Sequence, residues 1–210
     1  MASLTLNQYE LDSLYSVLNA SIVDRARSAL SSLLDEQISH EIKSTHKQIS
    51  TMRDTEKLSG DLVLCSIFLR GEGDVRFGIL YTIPEQDAKK IVAKLLCVEK
   101  LDLLDDVGKS ALSEVGNIMS GSFFNAVSDT TGLRVELSIP YFAMTSGKTI
   151  LEPHAAEFVK TDNDMITQVE LYSKSRGINV HMLIIQDHDN ARKLLNSKKH
   201  TSNTDAFQYS

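Results

Sequence analysis

No apolar run in this sequence is long enough to cross a bilayer. The longest, such as "LVLCSIFL", fall far short of the about 20 residues that a spanning helix needs. The N-terminus "MASLTLNQYELDSL" lacks a basic stretch followed by an apolar one, so no secretory signal is read and a cytoplasmic protein is expected. Massed positive charge is missing too: the net charge is −6, and lysine and arginine are scattered along the chain. Nucleic acid and anionic membranes both need concentrated basic residues, so neither is expected as a partner. Cysteine is scarce. Cys65 and Cys97 stand alone in "VLCSIF" and "KLLCVE", with no CxxC spacing and no histidine at ligand distance. That excludes a disulfide framework and a zinc site, and both are expected to be buried, reduced thiols. The six histidines (40, 46, 154, 181, 188 and 200) form no HExxH or HxH arrangement, so no metal site is expected.

What is present is an ordinary globular composition, 42% hydrophobic and 24% charged in 210 residues, enough for one large domain or two small ones. An internal repeat organises it. "DLVLCSIFLRGEGDVRFGILYTIPEQDAKKIVAKLL" from Asp61 and "DMITQVELYSKSRGINVHMLIIQDHDNARKLL" from Asp164 each read as strand, polar turn, strand and amphipathic helix. At an offset of 103 residues Asp61 falls on Asp164, Phe77 on Val180, Ile79 on Met182 and Ala88 on Ala191. Alternation at Val75, Phe77, Ile79 and Tyr81 gives a strand with one buried face, and Pro84 and Asp187 supply first-turn chemistry for the two helices.

Each hairpin follows a longer helix and a short alternating segment: Glu10 to about Leu34 with "QISHEIK", and Asp106 to about Val127 with "LRVELSIP". A hairpin alone is marginal, so the copies are expected to share one antiparallel sheet covered by long helices. The expected architecture is α+β, a single domain over residues 1–196 built from repeats at about 8–98 and 104–196. The polar remainder, 197–210, is expected to be a disordered tail.

The stretch "KSALSEVGNIMSGSFFNAV", Lys109 to Val127, breaks a local rule. Ala111, Leu112, Val115, Ile118, Met119 and Phe123 form an apolar helical stripe, and Ser110, Glu114, Asn117 and Gly121 form a second line on the opposite face. Glycine within a helix costs about 1 kcal/mol relative to alanine, and asparagine a good part of that. Such breaks accompany functional sites. From the pattern alone, a plain solvated face, or small residues admitting a neighbouring helix, is the favoured explanation of the line.

The spacing adds to this. Ser110, Glu114, Asn117 and Pro140 fit the pattern Asp or Ser, three residues, Glu, two residues, Asn, twenty-two residues, Pro. With three prolines in 210 residues, a proline at the required place is a roughly one-in-seventy accident. The stretch resembles the signature of the CheC/CheX/FliY family of chemotaxis phosphatases, and "SEVGNIMSG" resembles that family's core sequence. The resemblance implies a tandem-repeat fold and removal of phosphate from a CheY-type response regulator. It implies that Asn117 holds the attacking water and that Glu114 pairs with a lysine of the partner, both as catalytic residues. Ser110 has a supporting role, Gly116 and Gly121 admit the partner's backbone, and Pro140 ends the following strand. No cofactor of its own is implied; Mg²⁺ is expected on the regulator. The resemblance also admits the receptor deamidase CheD as a partner.

The first half carries a degenerate copy of the signature. "LDSLYSVLNASIVDRA" supplies Asp12 and Asn19, but Ser16 where glutamate is expected and Ile42 where proline is expected. One working site, in the second half, is therefore expected. Two other readings compete with this one: a non-catalytic adaptor resembling the middle domain of flagellar switch proteins, and a ligand-binding α+β module. The latter lacks a glycine-rich phosphate loop, since "GEGDVRFG" lies in a hairpin.

Overall fold

A computed structural model describes residues 6–46, 62–146 and 164–204. The first helical stretch opens at Asn7, whose side chain accepts from the Glu10 amide while the Glu10 carboxylate accepts from the Asn7 amide, a reciprocal cap. It runs as α1 (Gln8–Val17), a single π-helical turn (Leu18–Ile22) and α2 (Val23–Leu34), ending at Asp35 in a left-handed conformation. Then come β1 (Ser39–His46), β2 (Val63–Gly73), β3 (Phe77–Pro84) and α3 (Glu85–Leu95). The second half gives α4 (Asp106–Thr131), β4 (Val135–Leu137), β5 (Tyr141–Ser146), β6 (Asp164–Ser173), β7 (Ile178–Asp187) and α5 (His188–Thr204).

The strands make one antiparallel sheet in the order β1-β6-β7-β3-β2-β4, with β5 pairing the other end of β2. The halves interlock. The first half's β1 pairs with the second half's β6, and β4 and β5 of the second half pair with β2 of the first. Neither half closes its sheet without the other.

The middle of the sheet shows why the repeat reads at an offset of 103. Leu80 of β3 and Leu183 of β7 face each other, and they stand at that offset, so a pseudo-twofold axis passes between them. Side-chain bonds obey the same axis. Asp87 of α3 accepts from the Asn179 amide at 3.0 Å, and Asn190 of α5 accepts from the Arg76 amide at 3.1 Å. Lys90 donates to the Gly177 carbonyl at 2.7 Å, and Lys193 to that of Asp74 at 3.1 Å. Each hairpin helix thus ties down the other hairpin's turn, and these bonds satisfy backbone groups that no ladder reaches.

The core lies between sheet and helices. Phe77, Ile79, Tyr81 and Ile83 on β3 alternate toward it, with Leu112, Met119 and Phe123 of α4 and Ala26, Leu30 and Leu34 of α2 opposite. Burying each large apolar side chain contributes about 1.5–3 kcal/mol.

Several local expectations need correction. The alternating "LRVELSIP" is a strand only at Val135–Leu137; a separate strand, Tyr141–Ser146, comes after it and escapes sequence reading because "YFAMTS" has no clean alternation. Pro140 therefore lies in the break between two strands rather than at the end of one. The last helix continues past residue 196 to Thr204, since "NSKKHTSNT" contains neither glycine nor proline to stop it; residues 205–210 lie outside the described residues, as does Asp61. Cys65 is buried, and burial pushes its thiol up to about 11. Cys97 is exposed instead. It takes the left-handed position (φ 54°) just beyond α3, where its amide donates to Lys94 and that of Val98 to Ala93.

Candidate active site

The second helix is positioned by close approach. A Cβ at Gly116 would stand 2.7 Å from Ile67 Cγ2, and one at Gly71 would stand 2.5 Å from the Phe124 ring. A glycine on each side thus lets α4 lie close on β2, and the register is that of a helix running along the strand. Phe77, Phe123 and Phe124 lock the far end, with centroids 5.2–5.9 Å apart; Phe123 meets both of the others edge-to-face, and Phe77 and Phe124 are tilted at 52°. Between these contacts the fully buried Ser120 hydroxyl meets the Tyr81 hydroxyl at 3.1 Å. Burial holds the Tyr81 phenol far above its ordinary ionisation range, so the pair is a neutral hydrogen bond that fixes the helix's rotation. Asp105 caps the start by accepting from the Gly108 amide, and Gly132, left-handed at φ 73°, ends the helix.

With that rotation fixed, Ser110 and Glu114 are exposed, Asn117 and Gly121 are half-buried, and all four lie along the outer side. The Asn117 amide nitrogen reaches a Glu114 carboxylate oxygen at 3.4 Å, longer than the about 2.7–3.2 Å of a strong N–H···O bond. The Glu114 carboxylate is exposed, and the Asn117 carboxamide oxygen takes no part in this contact. Nothing lies within 4 Å of where a Gly121 Cβ would be. Gly116 does not belong to this face. It is buried against Ile67, because the residue before Asn117 is turned by about 100° toward the sheet. Its lack of a side chain serves packing and cannot admit a partner's backbone.

α2 borders α4 on one side, with Arg25 and Asp129 3.7 Å apart across the gap, and β4 and β5 border it on the other. Asn117, two turns before Phe124, stands on the β4–β5 side. Two surface clefts lie elsewhere, around the end of α3, where Lys90, Ala93 and Glu99 line both.

The first half repeats this layout up to one point. Asn7 precedes Asn19 by the same distance as Asp105 precedes Asn117, so Asp12, Ser16 and Asn19 occupy the places of Ser110, Glu114 and Asn117. Beyond Asn19 the chain is one residue longer before the left-handed cap at Asp35, and the π-turn at Leu18–Ile22 absorbs that residue. Carried forward, the shift makes Lys43, not Ile42, the counterpart of Pro140. β1 has a bulge between Ile42 and Ser44 where the second half has its strand break. Asp12 accepts from Gln8 at 3.0 Å, and Asn19 Oδ1 bonds His40 Nε2 at 2.9 Å. His40 and the Tyr81–Ser120 pair are invisible to sequence reading, since each bond joins residues that only the tertiary fold brings together.

The family described as Chemotaxis phosphatase CheX matches this chain over residues 63–163. The CheY-P phosphatase CheC of Bacillus subtilis (strain 168) is 27% identical over 176 residues, covering 80% of this chain and 83% of that protein. The chain is thus similar in sequence to CheC and CheX chemotaxis phosphatases. Solved structures agree on the fold. FliY of Thermotoga maritima superposes on this chain with a TM-score of 0.72 at 13% identity, covering 93% of this chain and 98% of that one. CheX in the CheX-CheY-BeF3-Mg+2 complex from Borrelia burgdorferi gives 0.51 at 19% identity, over 85% and 98%. Among the described residues no helix is long and apolar enough to cross a membrane.

Proposed function

We propose that this protein is a phosphatase acting on the aspartyl phosphate of a CheY-type response regulator, with one working site on α4. The observation that carries the reading is the pairing of Glu114 with Asn117 on an exposed outer face of a helix whose rotation is locked from behind. A helix face that lines none of the described clefts suits a protein substrate better than a small molecule, which a concave pocket would enclose. In the reaction a water attacks phosphorus in line with the aspartyl oxygen. The new P–O bond forms as the old one breaks, releasing inorganic phosphate and the free aspartate. Asn117 orients the water through its carboxamide without placing a charge beside the phosphoryl group, and positioning of this kind is the main contribution a protein can make to such a transfer. Glu114 pairs with the lysine at the regulator's site and fixes the docked orientation. The Mg²⁺ of the reaction is expected on the regulator, and Ser110, Gly121 and Pro140 support the face rather than the chemistry. The reading places the protein in the cytoplasm, with CheD as a further candidate partner.

The test is the decay of phosphorylated regulator with and without the protein. Acceleration by wild type and its loss in Asn117→Ala are expected; unchanged decay, or full activity in the variant, sinks the proposal. A second reading, a non-catalytic adaptor of the flagellar switch, draws on the likeness of the fold to the FliM middle domain from H. pylori, with a TM-score of 0.60 at 12% identity. Capture of flagellar components without phosphorylated regulator would select it.

A further inference from the structure

Ile139 is 89% exposed, more so than any other large hydrophobic side chain among the described residues. By the shifted count its first-half counterpart is Ile42, which is 8% exposed and part of the core. The same residue type therefore has opposite fates in the two halves. β1 continues along β6 with only a bulge, which folds Ile42 inward, whereas the break before Pro140 turns Ile139 out.

The corner that carries Ile139 is held firmly. The Ser138 amide donates to the Arg70 carbonyl at 2.8 Å, and its hydroxyl accepts from the Arg70 amide at 2.9 Å. The same hydroxyl donates to the Ile139 carbonyl at 3.1 Å, and the fixed φ of Pro140 comes next in the chain. An apolar side chain on such a mount loses little freedom when a partner covers it.

Its place is fixed by register. Gly116 lies on Ile67, which pairs with Phe142, and Phe124 lies on Gly71, which pairs with Leu137. Ile139 falls between those levels, beside the turn of α4 that holds Asn117 and Gly121 and on the flank that Asn117 faces. The chain thus sets a rigid apolar knob beside its polar pair in the half where that pair is intact, and buries the equivalent residue in the half where it is not.

We propose that Ile139 is the apolar anchor for the receiver domain whose aspartyl phosphate meets Glu114 and Asn117, a contact that sets affinity and partner choice but not the chemical step. This rests on the phosphatase reading above. The occupant is a protein presenting an apolar contact on the rim of its phosphorylation pocket, since interfaces gather apolar anchors where water is to be excluded.

The experiment is steady-state dephosphorylation by the full chain as wild type, Ile139→Ser and Ile139→Leu. Ile139→Ser should raise KM for the phosphorylated regulator by roughly ten- to hundredfold while kcat stays within about twofold, and Ile139→Leu should restore most of it. The melting temperature should not move, because the side chain is already in solvent. An unchanged KM in Ile139→Ser, with wild type active, overturns the anchor and leaves the phosphatase reading intact. Binding of phosphorylated regulator to Asn117→Ala, with and without Ile139→Ser, separates the other case. If wild type has no activity yet Ile139→Ser weakens binding, the phosphatase reading fails and the anchor stands. Absence of any binding overturns both.

Discussion

The two long helical stretches of this protein start alike and end differently. Both are capped at the same distance from an outward asparagine, and both finish in a left-handed residue. Yet Asn117 keeps a carboxylate one turn before it, while Asn19 has Ser16 there and is bonded to the ring of His40. One added residue, absorbed as a π-turn, shifts everything downstream, and with it the strand that should have carried a proline. The comparison shows how a repeated fold can keep its frame while one copy lacks the carboxylate beside its asparagine. The bonds that hold the frame, from Asp87 and Asn190 and from Lys90 and Lys193, are equivalent in both halves. On the outer face the asparagine is kept and the carboxylate is not, Ser16 standing in the place of Glu114.

The sharpest way to break this comparison is to remove the two asparagines in turn. Asn117→Ala should lower the rate of regulator dephosphorylation by ~10²-fold, the cost of losing a positioned reactant, whereas Asn19→Ala should leave it within about twofold. Equal losses in a decay assay would mean that both faces work.

The glycines of α4 come next. Gly116→Ala would press a methyl group to 2.7 Å from Ile67 Cγ2, and the overpacking should outweigh the helical gain and destabilise the fold by about 1–2 kcal/mol. Gly121→Ala enters open space and should stabilise by up to about 1 kcal/mol. Denaturant titration reads both. If Gly116→Ala stabilised the protein, the close approach of α4 to β2 would not be the reason for that glycine.

A graft asks which difference sets the first half apart. In an Asn117→Ala background, Ser16→Glu with His40→Leu restores the missing carboxylate and, by the shifted count, the residue type of Leu137. Recovery of about tenfold over that background is expected, in line with a partly positioned site. No recovery would identify the π-turn as the decisive change.

Much of this is legible in the chain. The hairpin repeat is readable because strand alternation and the helix after it survive at one offset, and the Ser110, Glu114, Asn117 and Pro140 spacing survives because all four lie in one uninterrupted segment. The interlocked strand order is not legible, since nothing local says that β1 pairs with the other half's β6. Gly116 is misassigned from sequence for a related reason. A helical wheel separates faces by angle, but only the position of Ile67 tells that this angle meets the sheet. The π-turn is hidden because a one-residue insertion leaves the apolar pattern of "VLNASIVDRA" intact to the eye while rotating every residue beyond it.

The smallest expected effect concerns pH. Burial holds His40 below the ordinary histidine range, with Asp24 opposing this and Arg27 adding to it. A folded-state value below the unfolded one means that the fold favours the neutral ring. That contribution is complete above about pH 6.5 and is lost as pH falls through the folded value. The bond to Asn19 does not itself break, since Nε2 can donate in either protonation state; what is lost is the ease of burying an uncharged ring. The melting-temperature difference between wild type and His40→Gln should therefore be larger near pH 7.5 than near pH 5, by a margin below that of any variant above. By the shifted count Leu137 takes the place of His40 in the second half and carries no titratable group, so the dephosphorylation rate should not track the same titration. A rate in wild type that fell with His40 protonation, and stopped doing so in His40→Gln, would mean that the silent half still acts on the working one.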